Sequence, residues 1–166
     1  MVGVCDRSEY KWDGKIMNEQ LLIRFATGAD VPRVAALEQQ IFSEPWTQTG
    51  LEETLSCDRH IFLVAQTAGQ IVGYGLLYCN GDEGEIPTIA THPAYLHQGI
   101  GYTLLEQMLA EARRRGVTAV YLEVRRSNLA AQRLYAKCGF AIVGERRHFY
   151  RFPDEDALVM MYEKKE

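Results

Sequence analysis

Two closely spaced glycines, Gly99 and Gly101, stand in the stretch THPAYLHQGIGYTLLEQML (91–109), just ahead of a run with helical spacing. The start of a helix presents backbone N–H groups that have no partner inside the helix, and the aligned peptide dipoles put partial positive charge there. Together they make a site for an anion such as a phosphate. Glycine at such a site lets the backbone approach a bulky group, a pyrophosphate for example. A loop turn that merely contains glycine is the other reading of the same residues.

A second feature lies just upstream. EIPTIAT (85–91) reads as a strand, yet it contains Pro87. Proline cannot donate to a sheet ladder, so a central strand that carries it must be bulged or locally unpaired. Backbone groups left free beyond it can pair with an extended ligand that has amides of its own. The pantetheine arm of coenzyme A is such a ligand, and its pyrophosphate would then reach the Gly99 loop. An edge strand that tolerates a proline is the alternative.

Cysteine and histidine offer less. Cys5, Cys57, Cys79 and Cys138 are scattered, no C-x-x-C pair occurs, and His60, His92, His97 and His148 form no ligand spacing with them. No metal site is expected, and reduced thiols in a cytoplasmic protein are. Cys138, in YAKCGF, has two readings: packing near a helix end, or a nucleophile.

The whole chain sets the frame for these features. Its 166 residues suit one domain with a substantial core. With 47% hydrophobic and 24% charged residues and a net charge of −4, a broad nucleic-acid-binding surface is not expected. No apolar run approaches the roughly 18 residues that cross a bilayer, and the first twenty residues contain no apolar core of a secretory signal. Residues 1–16 are polar and without periodicity, which reads as a flexible N-terminal extension; residues 17–166 read as the single domain.

The elements that must position the site follow from periodicity. Residues 21–27 read as a strand and 29–42 as a helix, with Asp30 as its N-cap and Pro32 in the first turn. A short second helix over 46–56 and two strands joined at TAGQ (60–66 and 70–79) come next. After NGDEG (80–84) come the strand with Pro87, the glycine loop, and a helix that buries Leu104, Leu105, Met108, Leu109 and Ala112 and stops at Gly116. The rest alternates: strand 117–124, helix 128–138 closed by Gly139, and two final strands, 140–150 and 155–163. The class is α/β with a mixed, mostly antiparallel sheet of about seven strands and about four helices. A parallel crossover spans the strand–loop–helix–strand unit, which puts the glycine loop at the carboxyl edge of the sheet, where α/β folds bind ligands.

With TIATHP, HQGIGY, YLEVR, SNLAAQRLY and GF in this order, the chain resembles the GNAT family of N-acetyltransferases from about Leu21 to Glu163. EPWT, LEVRRSNLAAQRLY, RRHFY and EDALVMMYE are similar to the bacterial ribosomal-protein-alanine N-acetyltransferases within it. The resemblance implies the GNAT fold and an acetyl-CoA co-substrate. It implies that Ile89, Ala90 and Thr91 hold the acetyl and pantetheine part through their backbone. The loop His97, Gln98, Gly99, Ile100, Gly101 and Tyr102 would hold the pyrophosphate, with Asn128 also on the cofactor. Glu123 would be the base and Tyr135 the acid.

The chain departs from the family at Leu96, where Arg or Gln is common, and at Tyr102, where a basic residue is common; both changes remove side-chain contacts and leave the amides. The implied acceptor is a protein N-terminus, an alanine α-amine of a small ribosomal protein. The alternatives are a small amine or a lysine, or a module that binds acetyl-CoA without turnover. The implied assembly is a monomer or homodimer in the cytoplasm.

The chemistry asked of these residues is ordinary acyl transfer. Glu123 takes the amine proton through water, backbone N–H groups near Ala90 stabilise the oxyanion, and a phenol near its usual pKa of about 10 protonates a thiolate near about 8.5. Read without the resemblance, Glu123 is an exposed strand carboxylate, Tyr135 a core aromatic, and Asn128 a helix N-cap in competition with Ser127. The basic-aromatic run RRHFYR (146–151) is either a solvated edge or a surface that meets the acceptor.

Overall fold

The computed structural model describes residues 20–165; the stretch 1–16, read above as an extension, lies outside them. Seven strands form one sheet in the order β1-β2-β3-β4-β5-β7-β6. They are β1 (Leu22–Phe25), β2 (His60–Thr67), β3 (Gln70–Asn80), β4 (Glu83–Thr91), β5 (Ala119–Arg125), β6 (Ala141–Arg151) and β7 (Asp154–Glu163). Every neighbouring pair is antiparallel except β4 and β5. Four α-helices cover the sheet: α1 (Val31–Ile41), α2 (Gln48–Leu55), α3 (Ile100–Arg114) and α4 (Leu129–Lys137).

Strand alternation sorts the core into two layers. Phe62, Val64, Tyr74 and Leu76 point to one face, where Val34 and Leu37 of α1 and Leu51 of α2 pack on them. Ile61, Leu63, Leu77, Leu122 and Val124 point to the other, against Leu104, Leu105, Met108 and Leu109 of α3. Those four α3 residues are at most 1% exposed, and each contributes about 1.5–3 kcal/mol by leaving water. Close approach of α3 depends on Gly75: a Cβ there would lie 2.4 Å from Met108 Sδ.

One helix start differs from expectation. Asp30 makes no side-chain cap to α1. It sits in a short 3-10 turn, where its carboxylate accepts from the Thr27 N–H at 2.8 Å and from the Arg24 guanidinium at 2.7 and 2.8 Å. The bidentate arginine is the stronger partner, since a charge-assisted pair exceeds a neutral cap. Pro32 does fall in the first turn of α1, and Thr47 caps α2 by accepting from the Gly50 N–H at 3.1 Å.

Candidate active site

The site begins where β4 and β5 separate. Their parallel pairing covers only Glu83–Ala119, Gly84–Val120 and Glu85–Tyr121. Opposite Leu77 the β3–β4 register slips, with Tyr78 facing Glu85 and Leu76 facing Thr88. Ile86 and Pro87 are the two residues of this bulge, the disruption expected at a proline inside a ladder. The bulge also rephases the strand. Ile86 joins the α3 layer, whereas Thr88 and Ala90, of the same parity, face α1.

Beyond the bulge β4 keeps β3 as its partner and loses β5. The His92 N–H donates to the Val72 C=O at 2.8 Å, which sets the phase of the antiparallel ladder. Tyr74–Ala90 and Leu76–Thr88 are therefore its hydrogen-bonded pairs. Ile89 and Thr91 aim their N–H and C=O groups at the gap. Ala90, grouped with them above, turns its backbone to β3 instead. A ligand arm with amides of its own thus finds an open strand edge at Ile89 and Thr91.

The glycine loop closes one end of that gap. Gly99 is the N-cap of α3 in the left-handed conformation, φ 76°, a region that costs residues with a Cβ. The first helical bond runs from the Thr103 N–H to the Gly99 C=O at 3.0 Å. The amides of Ile100, Gly101 and Tyr102 precede it and point out of the helix start. A Cβ on Gly101 would lie 3.2 Å from Leu134 Cδ2 of α4 and 3.5 Å from Thr91 Oγ1. Gly101 therefore brings α3, α4 and the end of β4 together.

The loop has no cation of its own, but the fold supplies one. The Lys137 ammonium of α4 lies 5.3 Å above the Tyr102 ring. This neighbour was missed in the sequence, because the two residues belong to different helices.

Glu123 and Tyr135 flank β5. Leu122 and Val124 enter the α3 layer, so Glu123 projects toward the α1–α2 face. Its side chain is 16% exposed and meets the Arg146 guanidinium at 3.5 Å. Burial pushes its carboxyl above the usual range, Arg146 opposes the shift, and Glu85 adds to it. A carboxylate held partly desolvated in this way is a better proton acceptor than one in water. Through Arg146 the RRHFYR run reaches Glu123, and the Arg125 guanidinium stacks at 4.2 Å on Tyr150.

Tyr135 lies on the α3–α4 side, 8% exposed, with its ring against Phe140. Burial raises its pKa well above the unperturbed value assumed from sequence, so this phenol keeps its proton at any physiological pH.

Asn128 is the N-cap of α4, its Oδ1 accepting from the Ala131 N–H at 3.1 Å. Ser127 does not compete for the cap; its N–H donates to Glu155 at 2.6 Å. Cys138 packs in the α3 layer, 7% exposed, and burial lifts its thiol to about 12. That environment suits packing and not nucleophilic attack.

An open strand edge, a helix start with outward amides, and a carboxylate and a phenol on the two sides of one strand are groups that acyl transfer from a thioester can use. The comparisons make this specific. Residues 31–140 match the model of the acetyltransferase (GNAT) family. The N-alpha-acetyltransferase RimI of Mycobacterium tuberculosis is 40% identical over 148 residues, which cover 86% of this chain and 92% of that protein. An uncharacterized protein of Mycobacterium leprae is 38% identical over 152 residues, 88% of this chain but 42% of that longer protein. The crystal structure of the ribosomal-protein-S18-alanine N-acetyltransferase from Escherichia coli superposes with a TM-score of 0.81 at 30% identity, covering 89% of this chain and 96% of that one. The chain belongs to the GNAT family; it is an N-acetyltransferase, and acetyl-CoA is its acetyl donor.

Proposed function

We propose that the chain acetylates the N-terminal α-amine of a protein, with the alanine terminus of ribosomal protein S18 as its first candidate. The observation that carries the reading is the placement of Glu123 on the α1–α2 face beside the gap, with Tyr135 on the other side of β5. The similarity to proteins that bear this activity in their names supports the choice of acceptor.

Each residue has a defined task. Bound along Ile89 and Thr91, acetyl-CoA supplies an activated acetyl group and a thiolate leaving group. The two strand residues hold the arm and direct N–H groups at the carbonyl oxygen as negative charge develops on it. The amides of His97–Tyr102 and the α3 dipole hold the pyrophosphate, and Asn128 lies at the neighbouring helix start. The amine enters from the α1–α2 side, and Glu123 takes its proton through water as nitrogen attacks carbon. The C–S bond breaks, and the Tyr135 hydroxyl donates to the departing sulfur. In this reading the enzyme works in the cytoplasm as a monomer or homodimer, without direct contact to nucleic acid or membrane.

A mild base suits an α-amine. The α-amine has a pKa of about 7.7–8.0 and lysine one of about 10.4, so lysine costs roughly 3.4 kcal/mol more to deprotonate. The test is a competition near pH 7.5 between an S18-type peptide beginning with Ala, its N-blocked form with an internal Lys, and a polyamine, the product being located by mass spectrometry. Acetyl on the alanine nitrogen is the expected result. Acetyl mainly on the lysine or the polyamine overturns the N-terminal reading.

A further inference from the structure

Glu38 of α1 is 1% exposed, and the chemistry above gives it no part. Its carboxylate gathers donors from three separate elements. Oε1 accepts from the Tyr74 hydroxyl of β3 and, at 2.9 Å, from the Thr88 hydroxyl of β4. Oε2 accepts from the Trp46 N–H, in the loop between α1 and α2, at 3.1 Å. Tyr74 and Thr88 are themselves 0% and 8% exposed. No ion pair among the described residues involves Glu38. A carboxylate buried without a cation stays in place only while its donors stay in place.

Those donors are not scattered. Thr88 is the first residue after Pro87, and Tyr74 faces Ala90 across the ladder, so Oε1 grips β3 and β4 beside the open edge at Ile89 and Thr91. Oε2 grips the loop 42–47. That loop lies on the same face of the sheet as the Glu123 carboxylate. The Trp46 ring meets Tyr78 edge-on with centroids 6.3 Å apart, and Tyr78 faces Glu85 at the last paired position before the gap. One buried carboxylate therefore sets the distance between a loop on the amine side and the strand that takes the acetyl donor.

We propose that Glu38 is a positioning residue for the acceptor: it fixes the loop 42–47 against β4 and thereby sets acceptor affinity without touching either substrate. A loop ordered in advance saves the acceptor the entropy of ordering it. The inference rests on the acetyltransferase reading but not on the alanine terminus as acceptor.

Glu38→Gln separates the two grips. Its amide oxygen still accepts from Tyr74 and Thr88, whereas its NH2 meets the Trp46 N–H donor against donor, so only the loop is released. Steady-state kinetics with both substrates varied should show the acceptor KM raised about tenfold, the size of one lost charge-assisted hydrogen bond. The kcat and the acetyl-CoA KM should stay within about twofold of the parent. The acceptor is whichever amine of the competition panel the parent acetylates, so a wrong acceptor assignment and a wrong role for Glu38 give different results. Pro45→Gly loosens the same loop without touching the carboxylate, should raise the acceptor KM in the same selective way, and decides the matter if Glu38→Gln does not fold. An acceptor KM within about twofold of the parent, or a parallel fall in every kinetic parameter with the melting temperature, overturns the proposal.

Discussion

Glu123 and Tyr135 lie on opposite sides of one strand, the carboxylate toward α1 and α2 and the phenol in the layer of α3 and α4. This arrangement fits a reaction in which the amine arrives on one side of the sheet and the thiolate leaves on the other. Neither group then has to serve both protons. Glu123→Gln and Tyr135→Phe should each lower kcat by about 10² to 10⁴ while acetyl-CoA still stabilises the fold. Parent-like turnover in both variants would remove the acid–base assignment.

The same substitutions have a stability signature. Burial raises the Glu123 carboxyl in the folded state. A raised carboxyl contributes stability below its unfolded pKa and loses that contribution as pH rises through the folded value. At neutral pH the ionised group is therefore a cost, and Glu123→Gln should melt no lower than the parent. A clearly lower melting temperature would contradict the desolvated environment.

Arg146 gives a prediction about pH. Its guanidinium, 3.5 Å from Glu123, lowers a carboxyl that burial and Glu85 both raise. Arg146→Met removes the charge that opposes the rise, so the Glu123 carboxyl should rise further. Since the base acts when ionised, activity falls as pH falls through its pKa, and the acid limb of the kcat/KM profile should move to higher pH. An unmoved limb would mean that Glu123 is not the group that titrates there.

A second pH dependence lies in the fold. The Arg24 pair holds the Asp30 carboxyl at about 2, below its ordinary 3.8. A depressed carboxyl stabilises above its unfolded pKa and loses that stabilisation as pH falls through the folded one. Asp30→Asn should lower unfolding stability at pH 7 by roughly 2 kcal/mol. The gap to the parent should close between about pH 4 and pH 2. Urea titrations at several pH values measure this, and a gap independent of pH would assign the loss to packing.

The order of elements was legible in the sequence because each has a period and punctuation of its own: Pro32, Gly116 and Gly139 fall where the helices start and stop. The glycine loop and the Pro87 bulge were legible for the same reason, since both depend on the backbone limits of single residues. What escaped depends on register or distance in sequence. That Ala90 turns its backbone to β3 while Ile89 and Thr91 face the gap follows from the ladder phase, which no local pattern carries. Glu38 carries no local signal, since its hydroxyl partners are 36 and 50 residues away. Asp30 fitted an N-cap until the fold brought Arg24 within 2.7 Å.

The glycine loop gives the most direct test of how acetyl-CoA is held. With neither Lys nor Arg between His92 and Tyr102, the proposed hold on the phosphates falls to the amides of the α3 start. Acetyl-CoA at about 100 times its Kd should stabilise the fold by roughly 2.7 kcal/mol if only the native state binds it. Gly99→Val forces a branched side chain into a φ of 76°, and Gly101→Val drives one into Leu134 at 3.2 Å. The first shifts the cap and the second pushes α4 off the loop, so each should abolish the thermal shift caused by acetyl-CoA. Lys137→Met is milder. Its ammonium sits 5.3 Å over Tyr102, and its loss leaves every amide in place. It should weaken acetyl-CoA by about tenfold or less, with the weakening largest at low salt because a surface charge is screened. Thermal shift titrations of all three variants at two ionic strengths make the comparison. Full shifts in both glycine variants would move the phosphates away from this loop, and a Lys137→Met loss equal to theirs would mean that the side chain, not the helix start, holds the anion.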